Sequence, residues 1–358
     1  MAMVASNLSS SLVELEASST PIPSRPVPLY REEFLITFKV LAAINPAIIL
    51  LGLVSNVINI VVFLKADVKD NVTILLLSLA VSDFVFLSFI TPSMCGAVIH
   101  ALAPSHIPLS QIILLRHFPY WPAYTVYDFS TFITVSLGVM RCACVAMPLK
   151  FKLVFTKSRT IKWVLFIVAL AVSLRIPVLS IHRILWRIDP KTNISSPHLI
   201  AKNGVQMSRI NDILNRGVVI YITYITMVTC VCILTFKLYQ ASKMRRSCKA
   251  TSNQSSDKTD SPADRGLSSR DLKVVKSVVL VCTIFVLLQL PFLLVSFIRL
   301  VVPEFDKVKS LGFLFGIFSQ VNSTCAYLNA SLNIFIYYNY NSKYRLVFRT
   351  LMSLTSKQ

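Results

Sequence analysis

The sequence predicts an all-α membrane protein built as a bundle of seven transmembrane helices. Three observations carry this. Mean hydropathy is +0.66. Of the 358 residues, 54% are hydrophobic and only 15% charged, against about 25% charged in soluble domains. Seven apolar runs are each long enough to cross a bilayer, which takes roughly 20 residues. A β-barrel is disfavoured, because the chain has only 8 glycines and no series of short alternating segments. The net charge of +20 would suit a nucleic-acid binder, but a basic soluble domain does not carry this much apolar sequence. Lipid headgroups and membrane topology account for it better.

Residues 1–38 are Ser/Pro-rich, lack the apolar core of a signal peptide, and are expected to form a disordered extracellular N-terminus. The helical region is expected over 39–338. Its spans fall at about 39–64, 73–99, 119–145, 161–181, 217–239, 273–301 and 311–338. In the fourth span Lys162 and Arg175 lie near the two ends, where they can snorkel to the interface. Residues 242–270, rich in Ser, Asp, Lys and Arg, read as a flexible third cytoplasmic loop, and 339–358 as an amphipathic helix and short tail. Lys and Arg are more numerous on the side of the C-terminus, which predicts an extracellular N-terminus and a cytoplasmic tail in the plasma membrane. On that topology two Asn-x-Ser/Thr triplets, Asn7 and Asn193, face outward and are the candidate glycosylation sites. The eight cysteines fall almost entirely in apolar runs or on the inner side, so no extracellular disulfide is expected.

Polar residues inside the spans locate function, because each is costly in hydrocarbon. Asp83 stands in the second span, with Asn56 in the first, Ser130 in the third, and Asn329 and Asn333 one turn apart in the seventh. Two readings fit this cluster. One carboxylate with hydroxyl and amide oxygens suits a small hard cation with water. The same groups also suit a hydrogen-bonded cluster that only joins helices.

The motifs come in a characteristic order. The first span holds Gly52-Leu53-Val54-Ser55-Asn56 and the second Leu79-Ala80-Val81-Ser82-Asp83. The third holds Met140-Arg141-Cys142 followed by Met147-Pro148-Leu149. The sixth holds Phe285 and Pro291, and the seventh Leu332-Asn333-Ile334-Phe335-Ile336-Tyr337. In these the chain resembles a class A, rhodopsin-like G-protein-coupled receptor across all seven spans. The Arg-Cys variant with Met-Pro-Leu-Lys after it is similar to molluscan and other invertebrate neuropeptide-like and chemosensory receptors. The resemblance implies a receptor that binds an extracellular ligand and activates a cytoplasmic heterotrimeric G protein. It implies an allosteric sodium ion, with no other cofactor, on Asp83, Ser130, Asn329 and Asn333. Arg141, Tyr337 and Asn56 take the switch and coupling positions, and Asp271 takes that of an acidic lock for Arg141. Tyr344 becomes the aromatic that seats the amphipathic helix; Tyr344, Phe348 and Leu351 share one face there.

Several positions depart from the family pattern. Met140 replaces the usual acid, Gln289 the usual tryptophan and Ile334 the usual proline of the seventh span. The fifth span has no proline, and Arg116 stands where the third span usually carries a disulfide cysteine.

The upper third of such a bundle is the default pocket. Tyr120, Tyr124 and Tyr127 share a face of the third span, Ser323 and Tyr327 a face of the seventh, and Gln289, Phe292 and Arg299 lie on the sixth. They are the candidate ligand residues, with aromatic packing as the rival reading. Arg299 is the candidate for an anionic group such as a peptide carboxylate. Ala123 occupies the usual amine-anchor position, which disfavours a monoamine, and Asp128 lies deeper. The competing functions are a seven-span transporter or channel, and a receptor-like protein that does not signal. No motif for catalysis stands out, so the chain is not expected to be an enzyme.

Overall fold

The computed structural model of the protein describes residues 30–66, 70–102, 114–115, 118–146, 155–188, 195–201, 204–252, 269–306 and 309–355. Asn7, Asn193 and Arg116 lie outside the described residues.

The first four spans are helices over Arg31–Lys65, Asn71–Leu102, Tyr120–Ala146 and Lys157–Leu179. The first begins at Arg31, inside the stretch expected to lack structure. Its opening turn carries Glu32 and Glu33, acids that suit a helix N-terminus and that hydropathy alone reads as the end of a span. After the fourth span the chain makes an antiparallel hairpin of β1 (His182–Ile188) and β2 (Ser195–Ala201), with His182 opposite Ala201. The fifth span grows out of a helix over Gly204–Asn211. It passes through a π-helical segment, Asp212–Val219, and continues as Ile220–Ser252. The sixth is Ser269–Val301.

Six of these helical segments are long and apolar enough to cross a membrane, by length and composition. The seventh span is more polar and is broken in two, Gly312–Ser331 and Asn333–Tyr340. The proline usual at this place is absent, yet the chain still breaks at Leu332. The first span supplies the cause. Asn56 donates its side-chain amide to the Ala330 carbonyl at 2.8 Å, and the Ser55 hydroxyl donates to the Ser331 carbonyl at 3.3 Å. These side chains occupy carbonyls near the break, and the Phe335 amide turns back to the Leu332 carbonyl at 3.2 Å. Gly52 makes the approach feasible. A Cβ there would meet Ser331 Oγ at 2.3 Å and Leu87 Cδ1 at 2.4 Å, so only glycine lets the first, second and seventh spans come this close.

The outward faces are apolar, as lipid requires: Leu50, Leu165, Ile222 and Leu287 are exposed. Inside, one core joins Phe63, Leu75, Leu79, Leu137, Met140, Ile336, Tyr337 and Tyr344. Met140 is therefore a core residue where the family usually has an acid. A second core around Phe86, Ile90, Ala123 and Tyr327 lies nearer the hairpin end. A terminal helix, Ser342–Thr355, lays Tyr344, Phe348 and Leu351 on the first core while Leu346 and Met352 stay exposed. Arg345 caps the broken span from this helix, donating to the Tyr338 carbonyl at 2.8 Å and to the Asn339 carbonyl.

Candidate functional site

At the hairpin end the spans part around a cavity that is open on one side. Tyr120, Tyr124, Tyr127, Gln289, Phe292, Arg299 and Ser323 all line it. Tyr327 does not. It is buried, and it borders a neighbouring cavity between the first, second, third and seventh spans.

The tyrosines both pack and present polar atoms. Tyr120 and Tyr124 lie 4.6 Å apart by ring centroid, and Phe86 fits against Tyr124, Tyr127 and Tyr327. The Tyr124 hydroxyl meets Ser323 Oγ at 3.1 Å, tying the third span to the seventh, and Gln289 donates to the Tyr127 hydroxyl at 3.0 Å, tying the sixth to the third. Gln289, standing in the place of the usual tryptophan, thus spans the cavity as a polar bridge.

Two ion-pair groups correct the sequence reading. Arg175 does not snorkel. It is buried and pairs with Asp128 across the third and fourth spans, donating Nε to Asp128 Oδ2 and a terminal nitrogen to Asp128 Oδ1 at 2.9 Å. It also donates to Asn211 Oδ1 at 3.2 Å, and its guanidinium lies 6.0 Å from the Trp121 ring centroid. The geometry is physically sound: a buried charge persists only when it is paired and hydrogen-bonded. Arg299, expected to offer its charge to an anion, already has two carboxylates. It donates to Asp212 at 3.3 Å and to Asp306 at 2.9 Å. Asp212 is not in a loop but opens the π-helical segment of the fifth span. That segment also carries Asn215, while Asn211 ends the helix before it; both are buried. Asn215 donates to the Leu174 carbonyl at 3.0 Å and to Asn211 Oδ1 at 2.9 Å, which holds the fifth span on the fourth.

Below the cavity, Asp83 is fully buried. Ser130 donates to its Oδ1 at 2.6 Å and Asn333 to its Oδ2 at 2.9 Å. Three of the four expected residues therefore meet. The fourth, Asn329, turns its side chain to the Tyr127 hydroxyl on the cavity wall instead. As a sodium site the set fits in part. Asp83 and Ser130 present adjacent oxygens, but Asn333 offers its donor to the carboxylate rather than an oxygen to an ion.

At the opposite end, Tyr337 is buried between Phe63 and Tyr344, with ring centroids at 5.3 and 5.8 Å, and its hydroxyl has no hydrogen-bond partner among the described residues. Asn56, besides capping the seventh span, accepts at Oδ1 from Asn59 at 3.4 Å, and Asn59 accepts from the Tyr344 hydroxyl at 2.7 Å. Arg141 is half-buried in the last turns of the third span. Asp271 lies on the sixth helix, but its side chain, and with it the expected pair with Arg141, is outside the described residues.

A seven-helix bundle, a cavity at one end, a buried carboxylate at mid-depth and a buried tyrosine with the arginine at the other end form one axis. The sequence model described as 7 transmembrane receptor (rhodopsin family) matches residues 55–337, well over half of the chain. The chain belongs to this family. No curated protein matches it significantly. The receptor is therefore a multi-pass membrane protein of a family of signalling receptors, not of enzymes. Sequence reasoning missed Arg175 and Asn215 as cavity-side residues, and Asn211 as their partner. The available signal was the opposite charge of Asp128 and Arg175 at similar depth on consecutive, antiparallel spans.

Proposed function

We propose that the receptor binds a ligand, a peptide or a chemosensory small molecule, in the hairpin-end cavity from outside the cell and activates a cytoplasmic heterotrimeric G protein at the other end. The observation that carries this is the polar interior between the cavity and mid-depth. Gln289 meets Tyr127 at the cavity, and below it Ser130 and Asn333 of the broken seventh span meet Asp83. A cavity and a buried polar cluster built on the same spans can share one two-state equilibrium, which a ligand with different affinities for the two packings shifts.

In this reading the hairpin faces outward and the terminal helix lies along the cytoplasmic surface of the plasma membrane, in keeping with the Lys/Arg distribution. Asn7 and Asn193 carry glycans, and the part from 39 to 338 acts as the receptor domain. Arg141, Asp271, Tyr337 and Asn56 form the coupling end. A sodium ion, where present, takes Asp83 and Ser130 as protein ligands and favours the resting packing. Co-expression with each G-protein class and a peptide and odorant library, reading nucleotide exchange, tests the proposal. Exchange driven by at least one library member supports it. Ion flux that tracks expression, or no exchange under any condition, sinks it.

A further inference from the structure

The charges along the cavity wall are already matched, and among the described residues two buried amide oxygens there, Asn215 Oδ1 and Asn322 Oδ1, have no partner. Asp128 is held by Arg175 through one hydrogen bond to each carboxylate oxygen, yet its side chain remains 16% exposed and lines the cavity. A carboxylate has about four acceptor positions, so two bonds from Arg175 leave acceptor capacity facing inward. Beside it, Asn215 spends its amide hydrogens on the Leu174 carbonyl and Asn211, which fixes the orientation of the amide, and its Oδ1 is buried with no partner among the described residues. Across the cavity, Asn322 Oδ1 is likewise buried without a partner among the described residues. The Tyr124 and Tyr127 hydroxyls are engaged by Ser323 and Gln289.

We infer that the cavity takes an uncharged ligand rich in hydrogen-bond donors, anchored on Asp128 and Asn215 at one wall and Asn322 at the other. This rests on the reading of the cavity as the ligand site. An ammonium group would approach Asp128 with the Arg175 guanidinium already seated, and a carboxylate would face Asp128 itself, so either charge loses. A neutral hydroxyl or N–H meets acceptors that otherwise stay unsatisfied, and unsatisfied buried acceptors are what a polar site uses to discriminate. The tyrosine wall makes an aromatic frame the fitting carrier.

The test uses the full-length receptor in bilayer nanodiscs and three matched probes: 5-hydroxyindole, its doubly methylated 5-methoxy-1-methylindole, and 5-hydroxytryptamine. Binding is read by thermal shift and by tritiated-probe saturation. 5-Hydroxyindole binds about tenfold or more tighter than the methylated probe, the value of one hydrogen bond to a charged acceptor, and the ammonium of 5-hydroxytryptamine adds nothing. The double variant Asp128→Leu/Arg175→Met, which removes both charges and leaves neither one stranded, erases the preference. Equal affinity for the first two probes, tighter binding of the ammonium, or a preference that survives the double variant overturns the inference. Binding with this selectivity but no nucleotide exchange would count against the signalling proposal alone.

Discussion

Replacing Tyr344 by Phe removes one oxygen and leaves the ring. In the receptor that ring stacks on Phe348 at 6.3 Å and meets Phe63 edge-on at 5.4 Å, contacts that phenylalanine keeps. What goes is the 2.7 Å bond to Asn59 Oδ1, between two residues that are 1% and 0% exposed. Burial pushes the Tyr344 phenol above its ordinary ionisation range, so it is a neutral donor at any working pH. A buried bond of this kind contributes about 1 kcal/mol net, and stranding the acceptor costs about 1–3 kcal/mol. The expected loss is about 2 kcal/mol, roughly thirtyfold in the folding equilibrium. Equilibrium unfolding of the detergent-solubilised receptor measures it. Because the cost is mostly that of Asn59, Tyr344→Phe made on top of Asn59→Ala adds little, and the double-mutant cycle shows strong coupling. A Tyr344→Phe variant as stable as the parent, or losses that simply add, refutes the relay from terminal helix to first span.

Other substitutions probe the remaining contacts. Gly52→Val forces Ser331 and Leu87 away and destabilises by about 1–3 kcal/mol or more, read as a lower melting temperature with the seventh span released from the first. Arg175→Met strands Asp128 inside the bundle and costs about 3–5 kcal/mol, whereas adding Asp128→Leu restores most of it; failure of the second change to rescue would show that Arg175 acts without Asp128. Tyr337→Phe deletes a buried hydroxyl that lacks a partner among the described residues, so the packing described is as stable as before or more so, while agonist-driven exchange falls; a clear loss of thermal stability would contradict this.

The seven spans could be read from the sequence because bilayer thickness imposes a length on apolar runs, and Asp83, Ser130 and Asn333 stood out because polar groups in such runs are rare. What escaped had other causes. The extension of the first helix to Arg31 leaves the apolar run, and hydropathy does not follow helices beyond it. The break at Leu332 depends on Asn56 and Ser55, residues 274 and 276 positions away in the pairs they form, and no local signal at Ile334 announces it. Arg175 looked like an end charge and Arg299 like the seat of an anionic ligand group, since a pair between elements is visible only once depth and facing are known. The π-helical segment at Asp212–Val219 shifts the facing of Asn215, and periodicity set at the usual helical repeat does not anticipate it.

The most direct test of the account is basal guanine-nucleotide exchange by purified heterotrimeric G proteins on the receptor in nanodiscs, compared with Arg141→Ala. Exchange above that of empty nanodiscs is expected with at least one G-protein class, abolished by the substitution while the protein stays folded. Exchange at the background level with every class, or exchange indifferent to Arg141, would contradict it.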